Sequence, residues 1–167
     1  MRQCMLGNRL DVIKVLLEHD RSLGYLVSTS DDSPLLVSAA FRGHLSVAKE
    51  ILSYCPDAPY CFPHGWTMLH EAVSQSHEEF VEFILETPKL HKLINMRDKF
   101  GETALHISVR KCNPKIVHAL LVHKSTNLTI VSNQGNSAEW NLTETKQQAK
   151  SLNWNEVLMM KLVLELI

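Results

Sequence analysis

No charge imbalance, no membrane-length apolar run and no cysteine framework mark this 167-residue sequence. Its 17 lysines and arginines stand against 18 aspartates and glutamates, a net charge of −1. Such a chain has no global field to draw in nucleic acid or an anionic membrane. The most apolar stretch, Val157 to Ile167, is short and interrupted by Lys161 and Glu165. Spanning a bilayer takes about 18 apolar residues or more, so no direct membrane insertion is expected. Cys4, Cys55, Cys61 and Cys112 are irregularly spaced with no secretory signal before them, which predicts reduced thiols and a cytoplasmic location. The sequons Asn127-Leu128-Thr129 and Asn141-Leu142-Thr143 would matter only in a secreted chain.

Catalytic signatures are missing as well. There is no Gly-x-Ser-x-Gly elbow, no phosphate loop and no carboxylate pair of recognisable spacing, so an enzyme has no support in the sequence. Cys55, Cys61 and His64 could offer three zinc ligands, but no Cys-x-x-Cys pair accompanies them. Small thiols in or near a core are the simpler reading, and neither metal nor cofactor is expected. The composition, 45% hydrophobic and 21% charged, is that of a folded chain.

What the sequence does have is an internal repeat. Gly65-Trp66-Thr67-Met68-Leu69-His70 returns 36 residues later as Gly101-Glu102-Thr103-Ala104-Leu105-His106, with glycine, threonine, leucine and histidine in register. A weaker echo, Gly135-Asn136-Ser137, begins 34 residues after Gly101. A period in the thirties points to stacked units that bury their apolar faces against their neighbours. Breaks between helices at Asn8, Gly43, Ser76 and Cys112, spaced by 35, 33 and 36 residues, keep the same period.

Along the chain, Asn8 to Glu18 reads as an amphipathic helix with Val12, Ile13, Val15, Leu16 and Leu17 on one side. Only Met1 to Gly7 precede it, so the first unit is expected to begin truncated and to fray. The second unit runs from Ser33 to Leu52; Ala39 and Ala40 let two helices approach closely and Gly43-His44 breaks between them. Tyr54 to Pro63, with three prolines, is an irregular excursion. Helices are predicted from Met68 to about Gln75 and from Glu78 to about Glu86, around the turn Ser76-His77. A second excursion from Thr87 to Leu93 leads to a polar, hairpin-like tip from Ile94 to Phe100. The fourth pair covers Thr103 to Val109 and Lys115 to His123, around Cys112-Asn113-Pro114. Past Gly135 the pattern decays: Ser137-Ala138-Glu139-Trp140 replaces the motif, and Asn153 to Leu158 opens one last outer helix. The expected organisation is one domain over 1–167, with repeats at about 1–29, 30–63, 64–97 and 98–131 and a degenerate unit at 132–167.

Helix-turn-helix units of about 33 residues opening on Thr-x-Leu-His resemble the ankyrin repeat. The residues that carry the resemblance are Gly65, Thr67, Leu69 and His70, the same four letters at Gly101, Thr103, Leu105 and His106, and the pair Gly43-His44. The ending Val117-His118-Ala119-Leu120-Leu121 also matches, and Val81-Glu82-Phe83-Ile84-Leu85 nearly does. Met68 and Ala104 depart from it by standing where proline is usual, as does Pro34 by falling one position early. Within the family, Cys55 to Cys61, Lys111 to Val117 and Leu152 to Val157 are most similar to plant ankyrin proteins of the accelerated-cell-death type, here without the membrane domain that many of those carry.

The resemblance implies an all-α solenoid of helix-turn-helix units with hairpin-like tips, and non-enzymatic recognition of a protein partner, with no nucleic acid. It gives the threonine–histidine pairs a structural role. It places recognition on the concave face, at Phe41 and Arg42 in the second unit, His64, Trp66, Ser74 and Gln75 in the third, and Lys99, Phe100, Glu102, Arg110 and Lys111 in the fourth. Trp66 and Phe100 are the expected anchors, because aromatics dominate interface energetics. The alternative is the cytosolic part of a membrane-associated signalling or stress-response assembly, peripheral at a membrane through its partner. Val157 to Ile167 reads either as the outer helix of a terminal repeat or as a docking helix for another chain.

Overall fold

The computed structural model describes residues 10–27, 32–138 and 140–141. The expectations for Met1 to Gly7 and for the segment from Asn153 to Ile167 lie outside the described residues. Among the described residues the regular structure is helical, joined by isolated antiparallel bridges at Val27–Pro34, Cys61–Thr67 and Val131–Ser137. The fold is the all-α repeat solenoid that the 36-residue echo predicts. The chain divides into two compact units, Met1–Phe80 and Val81–Ile167.

The first unit holds α1 (Leu10–His19), a 3-10 helix (Arg21–Tyr25), α2 (Leu35–Phe41), α3 (Leu45–Tyr54) and α4 (Met68–Ser74). In α1, Ile13 and Leu17 are fully buried while Val12 and Val15 are exposed. The apolar side is therefore narrower than the letters suggest: residues four apart share a face, and a residue two positions on points to the opposite one. The helix packs on α3, while α2 packs on both α3 and α4. Ala39 and Ala40, both fully buried, give α2 the thin profile that such packing needs. At Gly24 the chain comes so close to Cys55 that a Cβ would meet Sγ at 2.5 Å. The Cys55 thiol donates to the Arg21 carbonyl at 3.1 Å, and burial pushes its pKa up, so it is an inert structural group.

Helix α5 (Glu78–Glu86) leads into the second unit, which also contains a 3-10 helix (Pro88–Leu93), α6 (Ala104–Arg110) and α7 (Pro114–Val122). The excursion expected after Thr87 is thus a helical turn. Proline is tolerated at its start, where no N–H is needed, and the turn buries Leu90 and Leu93, with Ile94 just beyond. Two imidazoles, His91 and His123, place Nε2 at 2.8 and 3.1 Å from the Leu85 carbonyl near the end of α5. Helix α6 is buried from Ala104 to Val109. Val109 packs with Val117 of α7, and Leu121 closes that cluster. Asn113 caps α7 by accepting from Ile116 N–H at 3.2 Å.

The turns inside the helix pairs share one backbone shape. Gly43, Ser76 and Cys112 have φ of 67°, 59° and 54°, all left-handed. Only the first is the glycine that this conformation favours.

Candidate functional site

The element that orients each tip is a clasp between a threonine and the histidine three residues on. Thr67 and Thr103 are N-caps of α4 and α6, each with an extended backbone. In the first unit, Thr67 Oγ1 accepts from Leu69 and His70 N–H, and Thr67 N–H donates to His70 Nδ1 at 3.1 Å. In the second unit, Thr103 N–H donates to His106 Nδ1 at 3.2 Å, and the hydroxyl lies 2.9 Å from the same nitrogen. That leaves His106 Nε2–H to donate to the Asn136 carbonyl at 3.2 Å. Both rings are almost fully buried, and Leu69 and Leu105 beside them fill the core. With Nδ1 accepting and Nε2 donating, His106 is the neutral tautomer, and burial holds its pKa below the ordinary histidine value. Neither ring is free for proton transfer with a substrate.

Ahead of α6, the tip turns on Asp98. Its buried carboxylate accepts through Oδ1 from the N–H groups of Phe100 and Glu102 at 2.9 and 2.8 Å, while Gly101 N–H donates to the Asp98 carbonyl. Gly101 has φ of +74°, and a Cβ there would meet Arg97 and Asn133 at 2.4 and 2.5 Å. The crowding comes from a second tip stacked on the first. Asn133 N–H donates to the Phe100 carbonyl at 2.9 Å and Asn133 Nδ2 to the Lys99 carbonyl at 3.0 Å. The Arg97 guanidinium bridges the carbonyls of Gly101 and Val131 and reaches Asn133 Oδ1. The tip that carries Lys99 and Phe100 is therefore held rigid from one side.

Against that frame the residues proposed for recognition fall into two sets. In the first unit, Phe41 is 51% exposed with the Arg42 guanidinium 6.0 Å from its ring centre. His64 and Gln75 are exposed, and Ser74 is half-buried. Trp66 is half-buried and already engaged: its indole N–H donates to Glu71 at 2.6 Å and its ring stacks on His70 at 5.5 Å. Gln75 donates to the other oxygen of Glu71 at 3.0 Å. In the second unit, Phe100 is 58% exposed with the Lys99 ammonium 4.9 Å from its ring centre. Arg110 lies on the carboxylate of half-buried Glu102, and Lys111 is exposed. Glu71, Arg97, Asp98 and Asn133, which organise these two sets, were not singled out from the sequence. Asp98 and Gly101 at the two ends of one turn were the legible clue, whereas the pairing of Arg97 with Asn133 needs three dimensions.

Groups of three or more metal-type side chains are absent among the described residues. Of the residues weighed for zinc, Cys55 is buried and bonded to Arg21, Cys61 sits on the bridge to Thr67, and His64 stacks on Phe62.

The clasp recurs after 36 residues and the left-handed turn after 33 and 36, so one structural unit repeats with a period in the thirties. A family model describing ankyrin repeats, three copies long, matches residues 1–92 and again residues 36–131. The chain belongs to the ankyrin-repeat family. Ankyrin repeats are in general protein–protein interaction modules and typically non-catalytic, and in this ankyrin chain both histidine clasps cap a helix. No helix among the described residues is long and apolar enough to cross a membrane.

Proposed function

We propose that this ankyrin protein recognises a partner protein through its hairpin tips and inner helices, the face that the family presents as concave. The observation that carries the proposal is the contrast between buried clasp residues and two exposed phenylalanines. Residues that the repeat fixes, Thr67, His70, Thr103 and His106, are buried. Next to the Thr103–His106 clasp Phe100 is 58% exposed, and at the end of α2 Phe41 is 51% exposed, whereas Trp66 and Glu102 are half-buried. A large aromatic ring left in water on a rigid support is a ready interface anchor, and neither ring is needed to fill the core.

Helix α5, by contrast, exposes the charged side chains Glu79, Glu82 and Glu86. The test compares Phe100→Ala with Glu82→Ala in capture of a partner identified by mass spectrometry. The proposal expects Phe100→Ala to lose at least tenfold in affinity, about 1.4 kcal/mol or more, at unchanged melting temperature, while Glu82→Ala retains capture. Equal retention by both variants would remove the tip from the interface.

A further inference from the structure

Although the whole chain carries a net charge of −1, the fourth repeat concentrates the opposite sign on its proposed binding surface. From Asn95 to Lys111 there are four cations, Arg97, Lys99, Arg110 and Lys111, against two anions, Asp98 and Glu102. Both anions are withdrawn from solvent. Asp98 is 7% exposed, its Oδ1 committed to two backbone N–H groups. Glu102 is half-buried beneath Arg110. All four cations are exposed. Among the described residues no carboxylate pairs with Arg97, Lys99 or Lys111: Arg97 spends its donors on neutral carbonyl and amide oxygens, and Lys99 lies over Phe100. The next tip, Ser132 to Ser137, adds no charge of either sign.

We infer that the fourth repeat selects an acidic segment of its protein partner, with one apolar side chain seated against Phe100 and flanking carboxylates facing Lys99 and Lys111. This rests on the proposed protein-binding role of the same surface. Charge complementarity at a rim sets association rate and partner choice, and an exposed aromatic with the Lys99 ammonium over its ring supplies an apolar anchor beside a positive charge. The cations are few and clustered at one repeat. Nucleic acid instead favours a long basic stripe able to neutralise many phosphates, so a peptide is the better fit.

The experiment uses the full chain and a random library of 12-residue peptides displayed on phage. Selected peptides are then synthesised and titrated by fluorescence anisotropy against the native chain, Phe100→Ala and the double variant Lys99→Glu/Lys111→Glu, with a labelled single-stranded oligonucleotide of equal length as a competing polyanion. The inference expects selected sequences rich in aspartate and glutamate around a leucine or aromatic residue. It also expects at least a tenfold affinity loss on charge reversal, and weaker binding as salt rises. Neutral or basic peptides that still need Phe100 would overturn the acidic preference and leave the binding surface standing. Peptides indifferent to Phe100→Ala and to charge reversal would overturn both, as would failure to select any. Tighter binding of the oligonucleotide than of every selected peptide would replace the peptide with a nucleic acid.

Discussion

Replacing His106 by alanine removes one half of a clasp and leaves its partners stranded. The ring is 1% exposed, so the change opens a cavity in the core as well as deleting hydrogen bonds. Thr103 N–H loses its acceptor and the Asn136 carbonyl loses its donor. Each hydrogen bond contributes about 1 kcal/mol net, and a buried group left unpaired costs about 1–3 kcal/mol. With partial relaxation and some water entry, the expected destabilisation is about 3 kcal/mol, a large share of the total stability of a typical domain. In urea, with a slope of about 2 kcal/mol per molar, the midpoint should fall by about 1.5 M, whereas His64→Ala on the surface should move it by no more than about 0.3 M. A midpoint for His106→Ala indistinguishable from that of His64→Ala would refute the structural role. The sign of the pH dependence gives a second check on the same group. Burial holds the His106 pKa below its unfolded value of 6.5, so the unfolded chain takes up the proton first on acidification. The stabilisation from the neutral ring is complete above about pH 6.5 and is lost as the pH falls through the folded pKa. His106→Ala should therefore flatten part of the decline in stability below pH 6.5.

Other outcomes follow from the same geometry. Gly101→Ala places a methyl group against Arg97 and Asn133 at positive φ and should cost about 2–3 kcal/mol; Gly135→Ala has open space around it and should cost only about 1 kcal/mol, the left-handed penalty alone. Cys112→Gly should raise stability by up to about 1 kcal/mol in the same melts, because Cys112 adopts φ of 54° without being glycine. Trp66→Ala should lower stability by about 1–2 kcal/mol through loss of the Glu71 bond and the stack on His70. Phe100→Ala should stay within about 0.5 kcal/mol of the native chain. Equal melting of the last two variants would show that Trp66 is not engaged in the fold.

The helices were legible because their apolar spacing and their breaks are local signals. Met68–Ser74 and Glu78–Glu86 end within a residue of where the letters place them. The threonine–histidine clasp was legible for a different reason: a residue repeated in register is held by the repeat, not by a unique reaction. Contacts that join distant residues were hidden. The 3-10 turn Pro88–Leu93 buries leucines that the proline and lysine around them disguise as linker. Ser76 and Cys112 take the left-handed shape of Gly43, a conformation that residues with a side chain disfavour, so the letters gave no sign of it. Trp66 shows how far the candidate surface could be read: its position beside a tip glycine was visible, but the reach to Glu71 that ties it down was not. The Phe100 ring, with the Lys99 ammonium over it, stays 58% exposed, so Phe100→Ala tests the proposed anchor without the fold interfering.

The measurement that bears most directly on the division between buried clasp and exposed anchor is hydroxyl-radical footprinting of the chain, free and bound to its captured partner. Phe41 and Phe100 are both more than half exposed, so each is oxidised readily in the free chain and serves as a reporter. Val122, at 61% exposed on the last turn of α7, reports on an outer helix. The account predicts protection of Phe100, with or without Phe41, and no change at Val122. Protection of Val122 with both phenylalanines still fully reactive would contradict it.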